Sequence, residues 1–281
     1  MKQKLIKEKQ MQNNKIIIFI CLIFFLSGCR DITPLNPNDD NMFEVNIIDE
    51  QYDIDEPYDF PLKPGMPEWA DLKSGAEMVN ALQVPQDILN RMTTRSLLET
   101  CLNYPLFGDV TASSSTIKAG MEGVINNFNG FHELLGRKYA YVYLSEKFLS
   151  FDLLAVTNKK WTLLQKGGYM FELLKIELLL GQDIVLESAS YESKISLLKE
   201  TLIKHKKMLT LKEYYSGHGY EQIFFLMGNI LLKSGNPAIS SLITNNKEIS
   251  DFLKTGRLLN NDVTTEILSI ANQAVNQKVK K

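Results

Sequence analysis

From residue 74 to residue 274 apolar side chains return every three or four positions, and that interval constrains the fold more than any other feature of the chain. Ile117, Met121, Val124, Ile125 and Phe128 make one such stripe. Trp161, Leu164, Gly168, Phe171, Leu174 and Leu178 make a second, Ile195, Leu198, Leu202 and Leu209 a third, and Ile223, Leu226, Met227, Ile230 and Leu231 a fourth. Residues at these spacings share one face of an α-helix, so each stripe predicts an amphipathic helix with a buried side. Shorter stripes follow around Leu242 and Phe252, and the last runs through Val263, Ile267, Ile270 and Ala274.

The punctuation agrees with that reading. Ser74 with Glu77, and Ser96 with Glu99, have capping-box spacing, and Pro85 suits a first helical position. Gly181 and the Ser-Gly-Asn-Pro at 234–237 end stripes, as glycine and proline do. The two glycines at 167 and 168 predict either a close helix approach or a kink. The pattern amounts to about nine helices, starting every 15 to 30 residues, joined by short loops and therefore packed as antiparallel hairpins. The expected fold is all-α: helical hairpins stacked as an α-solenoid of the HEAT or armadillo kind, with a compact helix bundle as the alternative.

The N-terminus carries a different signal. Residues 1–15 hold five lysines and one glutamate, and an uncharged apolar run follows from Ile16 to Leu26. Eleven residues rise only about 16 Å as a helix, too short for a hydrocarbon core of about 30 Å, so the run reads as an export signal rather than a span. It ends in Leu26-Ser27-Gly28-Cys29, which resembles the lipobox of bacterial lipoproteins, in which the cysteine is lipidated and becomes the new N-terminus. The resemblance implies that residues 1–28 are removed and that Cys29 carries acyl chains, two or more of which hold a protein stably on a membrane. An ordinary secretory signal, with Cys29 incidental, is the alternative.

Residues 29–65 are expected to be an acidic extended tether. No Lys or Arg occurs from Asp31 to Leu62, acids are frequent, and prolines stand at 34, 37, 57 and 61, so the segment repels itself and buries little. Phe43 to Ile48 alternates briefly as a strand would. The run from Asp49 to Asp59 lacks the glycine and closing glutamate of an EF-hand, which favours a solvated linker over a calcium loop. The third unit is an all-α domain over 66–281.

Charge and cysteine content narrow the function classes. The chain has 31 Lys+Arg and 33 Asp+Glu; without the five lysines and one glutamate of the signal, 26 bases face 32 acids, a net charge of −6. That balance argues against nucleic acid as a partner. Of three cysteines, Cys21 leaves with the signal and Cys29 is modified, so Cys101 has no disulfide partner. Leu97, Leu98 and Leu102 surround it on the apolar side of a short helix, which predicts a buried, inert thiol, and Asn103-Tyr104-Pro105 reads as the turn that ends the helix.

No assembled catalytic or metal set is legible. His132 opens His-Glu-Leu-Leu-Gly, where a zinc-protease helix needs a second histidine and this chain has Gly136. His205 sits beside an apolar stripe, and His218 is expected in an exposed loop. The serines at 113–115 lack glycine flanks and read as a loop that supplies a helix N-cap. Glu172 and Glu177 are expected on an exposed helix face as solvated charge. No metal or other cofactor is expected.

Three stretches, MPEWADLKSGAEMVNALQVPQDIL at 66–89, TCLNYPLFGD at 100–109 and VINNFNGFHELLGRKYA at 124–140, resemble segments of an uncharacterised group of exported bacterial helical proteins. That resemblance implies an exported helical domain and assigns no activity and no site. The opening CRDITPLNP at 29–37 is similar to the start of glycan-binding lipoproteins of the starch-utilisation kind, which are longer helical-repeat proteins.

The expectation from the sequence is thus a non-catalytic binding or scaffold domain, lipid-anchored in the bacterial cell envelope at the outer membrane, meeting another envelope protein on a helical face. Tyr139, Tyr141, Tyr143, Tyr215, His218 and Tyr220 are the candidate contact residues, because tyrosine is enriched in interface cores. The rival is an envelope hydrolase or glycan-binding lipoprotein whose site forms only in three dimensions. For the anchor, Cys29→Ala is expected to abolish acyl labelling and leave an unprocessed precursor; equal labelling of mutant and parent refutes the lipobox.

Overall fold

The computed structural model describes residues 52–112, 116–215, 218–257 and 260–278, and among them the chain is all-helical. Fourteen α-helices occur in the described residues: α1 (Gly75–Ala81), α2 (Gln86–Leu89), α3 (Thr94–Leu102), α4 (Asp109–Ala112), α5 (Ile117–Asn127), α6 (Asn129–Gly136), α7 (Ala140–Ser150), α8 (Leu163–Leu180), α9 (Asp183–Glu187), α10 (Tyr191–Thr210), α11 (His218–Lys233), α12 (Pro237–Asn245), α13 (Lys247–Thr255) and α14 (Asn261–Lys278). Two 3₁₀ turns, Pro67–Asp71 and Leu153–Thr157, complete the set. The excess over the nine expected helices comes from elements such as α2, α4 and α9, whose four or five residues are too few to display a full stripe.

Local capping explains half of the α-helix starts. Ser74, Thr93, Thr116, Thr162, Ser190, Asn236 and Asn246 each accept a backbone N–H of the first turn, removing a donor that the helix itself cannot satisfy. The start of α3 differs from the sequence expectation. Thr93 is the cap, while Ser96 lies inside the helix, buried, and donates to the Ile54 carbonyl at 2.7 Å. Trp161 likewise precedes α8, which begins after a Thr162–Gln165 capping box.

The helices surround one continuous apolar core running from Phe60 to Ala274. Its centre is α11, buried without interruption from Gln222 to Leu231 and packed against α8, α9, α10, α12, α13 and α14. A helix apolar on every side has to be surrounded. The N-terminal helices join that assembly where α7 packs on α8 and α13 on α5. Aromatic rings fill the N-terminal half: Tyr104 stacks on Phe128 at 4.3 Å between centroids, and Phe131 stands edge-on to Tyr104, Phe107 and Phe128. The turn after Asn103 is therefore a packing element, as its sequence suggested.

The described part of the acidic segment is docked. Asp53 and Ile54 both donate to the Arg91 carbonyl, Thr93 donates to the Ile54 carbonyl, and Ile54 pairs with Met92 as an isolated parallel bridge. Tyr58 donates its N–H to Thr100 Oγ1 at 2.8 Å, and Phe60 enters the core at 3% exposure. Asp53 meets Arg91 through two hydrogen bonds of 2.9 and 2.7 Å, and the Arg137 guanidinium covers the Tyr52 ring at 3.7 Å. An extended strip of low hydrophobicity is thus held by backbone donors and one buried ring. Phe43–Ile48, the stretch with a strand-like pattern, lies outside the described residues.

Helices α5 and α6 are tied to the N-terminal turn by reciprocal amide bonds. Asn129 accepts from Val84 N and donates to the Val84 carbonyl, while Gln83 accepts from Asn129 N and donates to the Asn127 carbonyl. Close backbone approach occurs elsewhere than the glycine pair suggested: a Cβ on Gly167 would touch nothing, whereas one on Gly120 would lie 2.0 Å from the Val110 carbonyl oxygen of α4. Gly120→Ala must push α4 from α5 and is expected to cost about 1–3 kcal/mol or more, the range for overpacking, read as a lower urea midpoint. Gly167→Ala, free of contacts in an α-helix, is expected to be neutral or slightly stabilising.

Candidate functional site

The second half of α8 reads Leu173-Leu-Lys-Ile-Glu-Leu-Leu-Leu180, apolar all round, so the two charges it carries have no solvent to face. Lys175 and Glu177 are 5% and 2% exposed. This corrects the expectation that Glu177 belongs with Glu172 on a solvated face: Glu172 is half-buried and pairs with Lys175 at 2.6 Å, while Glu177 is 2% exposed. A helix with no polar side buries its ionisable groups with it, and that signal was present in the sequence.

Buried cations in this protein have a common task. Lys175 donates to the Leu102 carbonyl at the end of α3; Lys194 donates to Leu186 and Ala189 at the end of α9, at 3.3 and 2.9 Å; Lys204 donates to Leu149 and Phe151 at the end of α7, at 3.4 and 2.8 Å. Arg137 does the same for Leu89 and Met92 just past α2, at 3.3 and 3.1 Å. Each places a positive charge at the negative end of a helix dipole and satisfies carbonyls that have no partner in their own helix.

Glu177 has no such arrangement. Neither carboxyl oxygen has a hydrogen-bond partner, and burial makes it a much weaker acid by pushing its pKa well above the ordinary glutamate value, with Lys204 opposing the shift. Burial also pulls the Lys204 ammonium down to about 8, against the attraction of Glu200, Glu177 and Asp152. Tyr215 completes this junction: its hydroxyl donates to the Leu153 carbonyl at 3.0 Å, and desolvation, with Tyr169, Asp152 and Glu177 nearby, raises it far above a free phenol. Next to Lys204 on α10, His205 Nε2 shares a 2.8 Å hydrogen bond with the Tyr220 hydroxyl, its Nδ1 is unpartnered, and burial lowers its basicity.

The residues singled out from the sequence separate into interior and surface. Cys101 is fully buried, and desolvation raises its thiol well above the usual range, so it is a core side chain. Tyr141, Tyr143 and Tyr215 are 4%, 9% and 5% exposed. Tyr141 donates to the Ser193 carbonyl at 2.9 Å, with burial pushing its phenol up to about 12, and Arg95 covers the Tyr143 ring at 4.9 Å. These three rings are committed to packing and cannot serve as a contact surface, a correction to the expectation above. Tyr139 and Tyr220 are half-buried, Tyr139 with Lys138 over its ring at 5.0 Å. His132 is exposed, and Thr116 caps α5, while the serines at 113–115 lie outside the described residues. His218 opens α11, in a helix rather than a loop; its side chain, and all of Cys29, lie outside the described residues.

Two surface features remain. A small cleft of about 60 Å³ is lined by Val79, Tyr104, Leu106, Asp109 and Asn127, with the Tyr104 hydroxyl unpartnered at its wall; it holds a few waters, far less than a small-molecule site of roughly 300–1,000 Å³. At the start of α8, Phe151, Tyr169 and Trp161 form a half-buried ladder, with 4.4 Å between the first two centroids and 5.2 Å between the last two. Leu154 and Leu163 stand beside this ladder in sequence and are 45% and 86% exposed. Among the described residues there is no group of three or more His, Cys, Asp or Glu placed to hold a metal ion, and no helix long and apolar enough to cross a membrane.

Comparison with protein-family models, with curated protein sequences and with solved structures finds no match to this chain. The site rests on its own geometry, and the cations are its most testable part. Lys175→Met keeps the length of the side chain and removes its donor, leaving the Leu102 carbonyl unpaired in the core; the expected cost is about 1–3 kcal/mol, read as a lower urea midpoint with unchanged slope. Glu172→Gln, at the more exposed partner, is expected to cost well under that.

Proposed function

We propose that this protein is a non-catalytic binding domain, held on the bacterial cell envelope through a lipid on Cys29, that meets another envelope protein at the apolar face beginning α8. The observation that carries this reading is the exposure of Leu163, at 86%, and Leu154, at 45%, within a few residues in sequence of Phe151 and Trp161 of the ladder. Large apolar side chains gathered with half-buried aromatics are the composition of an interface centre, and Tyr and Trp add a polar edge to apolar area. Tyr169 illustrates this: one face packs on Phe151 while its hydroxyl donates to the Asp152 carbonyl at 2.8 Å. This face replaces Tyr141, Tyr143 and Tyr215 as the place to look.

The arrangement we favour is the compact bundle about α11 over a solenoid of stacked hairpins. Repeats in a solenoid touch their sequence neighbours, and the contacts of α11 with α8 and α14, and of α13 with α5, support the bundle. Binding of a glycan is the second reading, favoured by the ladder itself, since stacked half-exposed rings offer the flat apolar surface on which the C–H face of a sugar packs.

The test is site-specific photo-cross-linking in intact cells from position 163. One dominant protein adduct is expected, lost when Leu154 is changed to Asp in the same chain, with the folded state unaffected because Leu154 is exposed. An adduct pattern unchanged by Leu154→Asp overturns the protein-partner reading; retention of the purified domain on an envelope polysaccharide, abolished by Trp161→Ala, establishes the glycan reading in its place.

A further inference from the structure

Glu177 is the one carboxyl group among the described residues that is buried with both oxygens unpartnered, and the cation nearest in charge to it is engaged elsewhere. Lys204 directs its ammonium to the Phe151 and Leu149 carbonyls, and two acceptors leave the third N–H of an ammonium free. We propose that Glu177 is a proton-binding site that decides which partner Lys204 holds. While the carboxyl is protonated, Lys204 caps α7; once the proton leaves to solvent, the carboxylate draws the ammonium toward α8 and the end of α7 is released.

An ionised carboxylate with no hydrogen bond in an apolar interior is far costlier than a neutral acid, so the packing seen around Glu177 suits the protonated form. In the ionised form the compensating charge has to come from a neighbour, and Lys204 of α10 is the available one. The other ionisable groups of this junction are Glu200 of α10, Asp152 ahead of the 3₁₀ turn, Tyr169 of α8 and Tyr215. Charges elsewhere on the packed helices have partners of their own: Lys147 of α7 pairs with Glu99 of α3, Glu146 of α7 with Arg95, and Lys233 of α11 with Asp183 and Glu187 of α9, while Tyr220 is bonded to His205.

The released end of α7 leads directly to the aromatic ladder. Phe151 carries the carbonyl that Lys204 holds, Asp152 carries the one that Tyr169 holds, and Phe151 and Tyr169 are stacked. Losing the cap therefore loosens Phe151, Tyr169 and Trp161 together. This inference is independent of what binds at that face.

The sign of the pH dependence follows. Burial raises Glu177 above its free value of 4.5, so the stability it contributes is complete below that pH and is lost as pH rises through its folded midpoint. Lys204 falls from 10.5 to about 8, so its burial opposes folding most below pH 8, and that opposition fades between 8 and 10.5. The folded-to-unfolded ratio is expected to fall as pH rises from 4.5 and to recover in part above 8.

The experiment uses the full chain with Trp69→Phe, leaving Trp161 as the emitting residue. For each pH unit between 4.5 and the folded midpoint of Glu177, the parent is expected to lose about a factor of ten in the folded-to-unfolded ratio relative to Glu177→Gln, with Trp161 emission shifting in the parent alone. Identical titrations of the two proteins, or a Glu177→Gln less stable than the parent at pH 8, overturn the proposal. Lys204→Met is expected to abolish the Trp161 response while the carboxyl still titrates, and a persisting response removes Lys204 from the mechanism. Should that variant fail to fold, isotope-edited infrared difference spectra of the carboxyl at pH 6, parent minus Glu177→Gln, decide: a protonated band supports the proposal and a carboxylate band refutes it.

Discussion

A helix that ends inside a protein leaves up to four carbonyls pointing at neighbours that have nothing to donate, and this fold is organised by how it answers them. Glycine closes two helix ends in the left-handed conformation, Gly235 after α11 and Gly256 after α13. For α3, α7, α9 and the turn after α2, the donor arrives from a distant or later part of the chain as a buried Lys or Arg. Each of these cations fixes the position of one helix end against the body of another. A neutral donor of shorter reach could not span the gap, and a hydrogen bond from a charged group contributes about twice as much as a neutral one. The packing of α8 on α3, and the tie from α10 to the end of α7, follow from where Lys175 and Lys204 must place their nitrogens.

Because the interior charges are engaged in this way, interior chemistry and surface chemistry have separate owners. Cys101, Tyr141 and Tyr215 contribute shape and internal hydrogen bonds, and the lone carboxyl of Glu177 sits near Lys204, which gives two of its three N–H groups to backbone carbonyls. Two of the exposed large apolar side chains, Leu154 and Leu163, lie where α7 gives way to α8, a region whose backbone Lys204 holds and whose rings are half-buried. Support and display meet there within a few residues.

The fold class, the α5 and α11 stripes and the inert Cys101 were legible because they depend on spacing along a single helix, as with Met121, Val124 and Phe128; the α10 stripe holds except at Leu209, which is exposed, and the buried side of α8 is Leu173 and Lys175–Leu180, with only Leu178 from the expected stripe. The cap at Ser74 was legible for the same reason, its partner lying three residues on, while the serine-rich stretch promised a cap without marking Thr116 as the residue. The cations were not, since Lys175 and Leu102 are 73 residues apart and nothing local marks the pair. Ser96 was misassigned because its own carbonyl partner, Ile54, lies 42 residues upstream and competes with the capping role. Tyrosines 141, 143 and 215 look alike to composition whether they face solvent or core; only neighbouring helices distinguish the two. Glu177 was within reach, had the continuous apolar run around it been weighed above the general abundance of surface acids.

The docked strip from Tyr52 to Phe60 has a mechanical meaning. Its backbone bonds to Arg91 and Thr93, its amide bond to Thr100 and its buried Phe60 are arranged one after another along an extended line. Taken from the N-terminal side, those contacts begin with Tyr52 under Arg137 and Asp53 against Arg91, so tension on that side meets them before it meets α3.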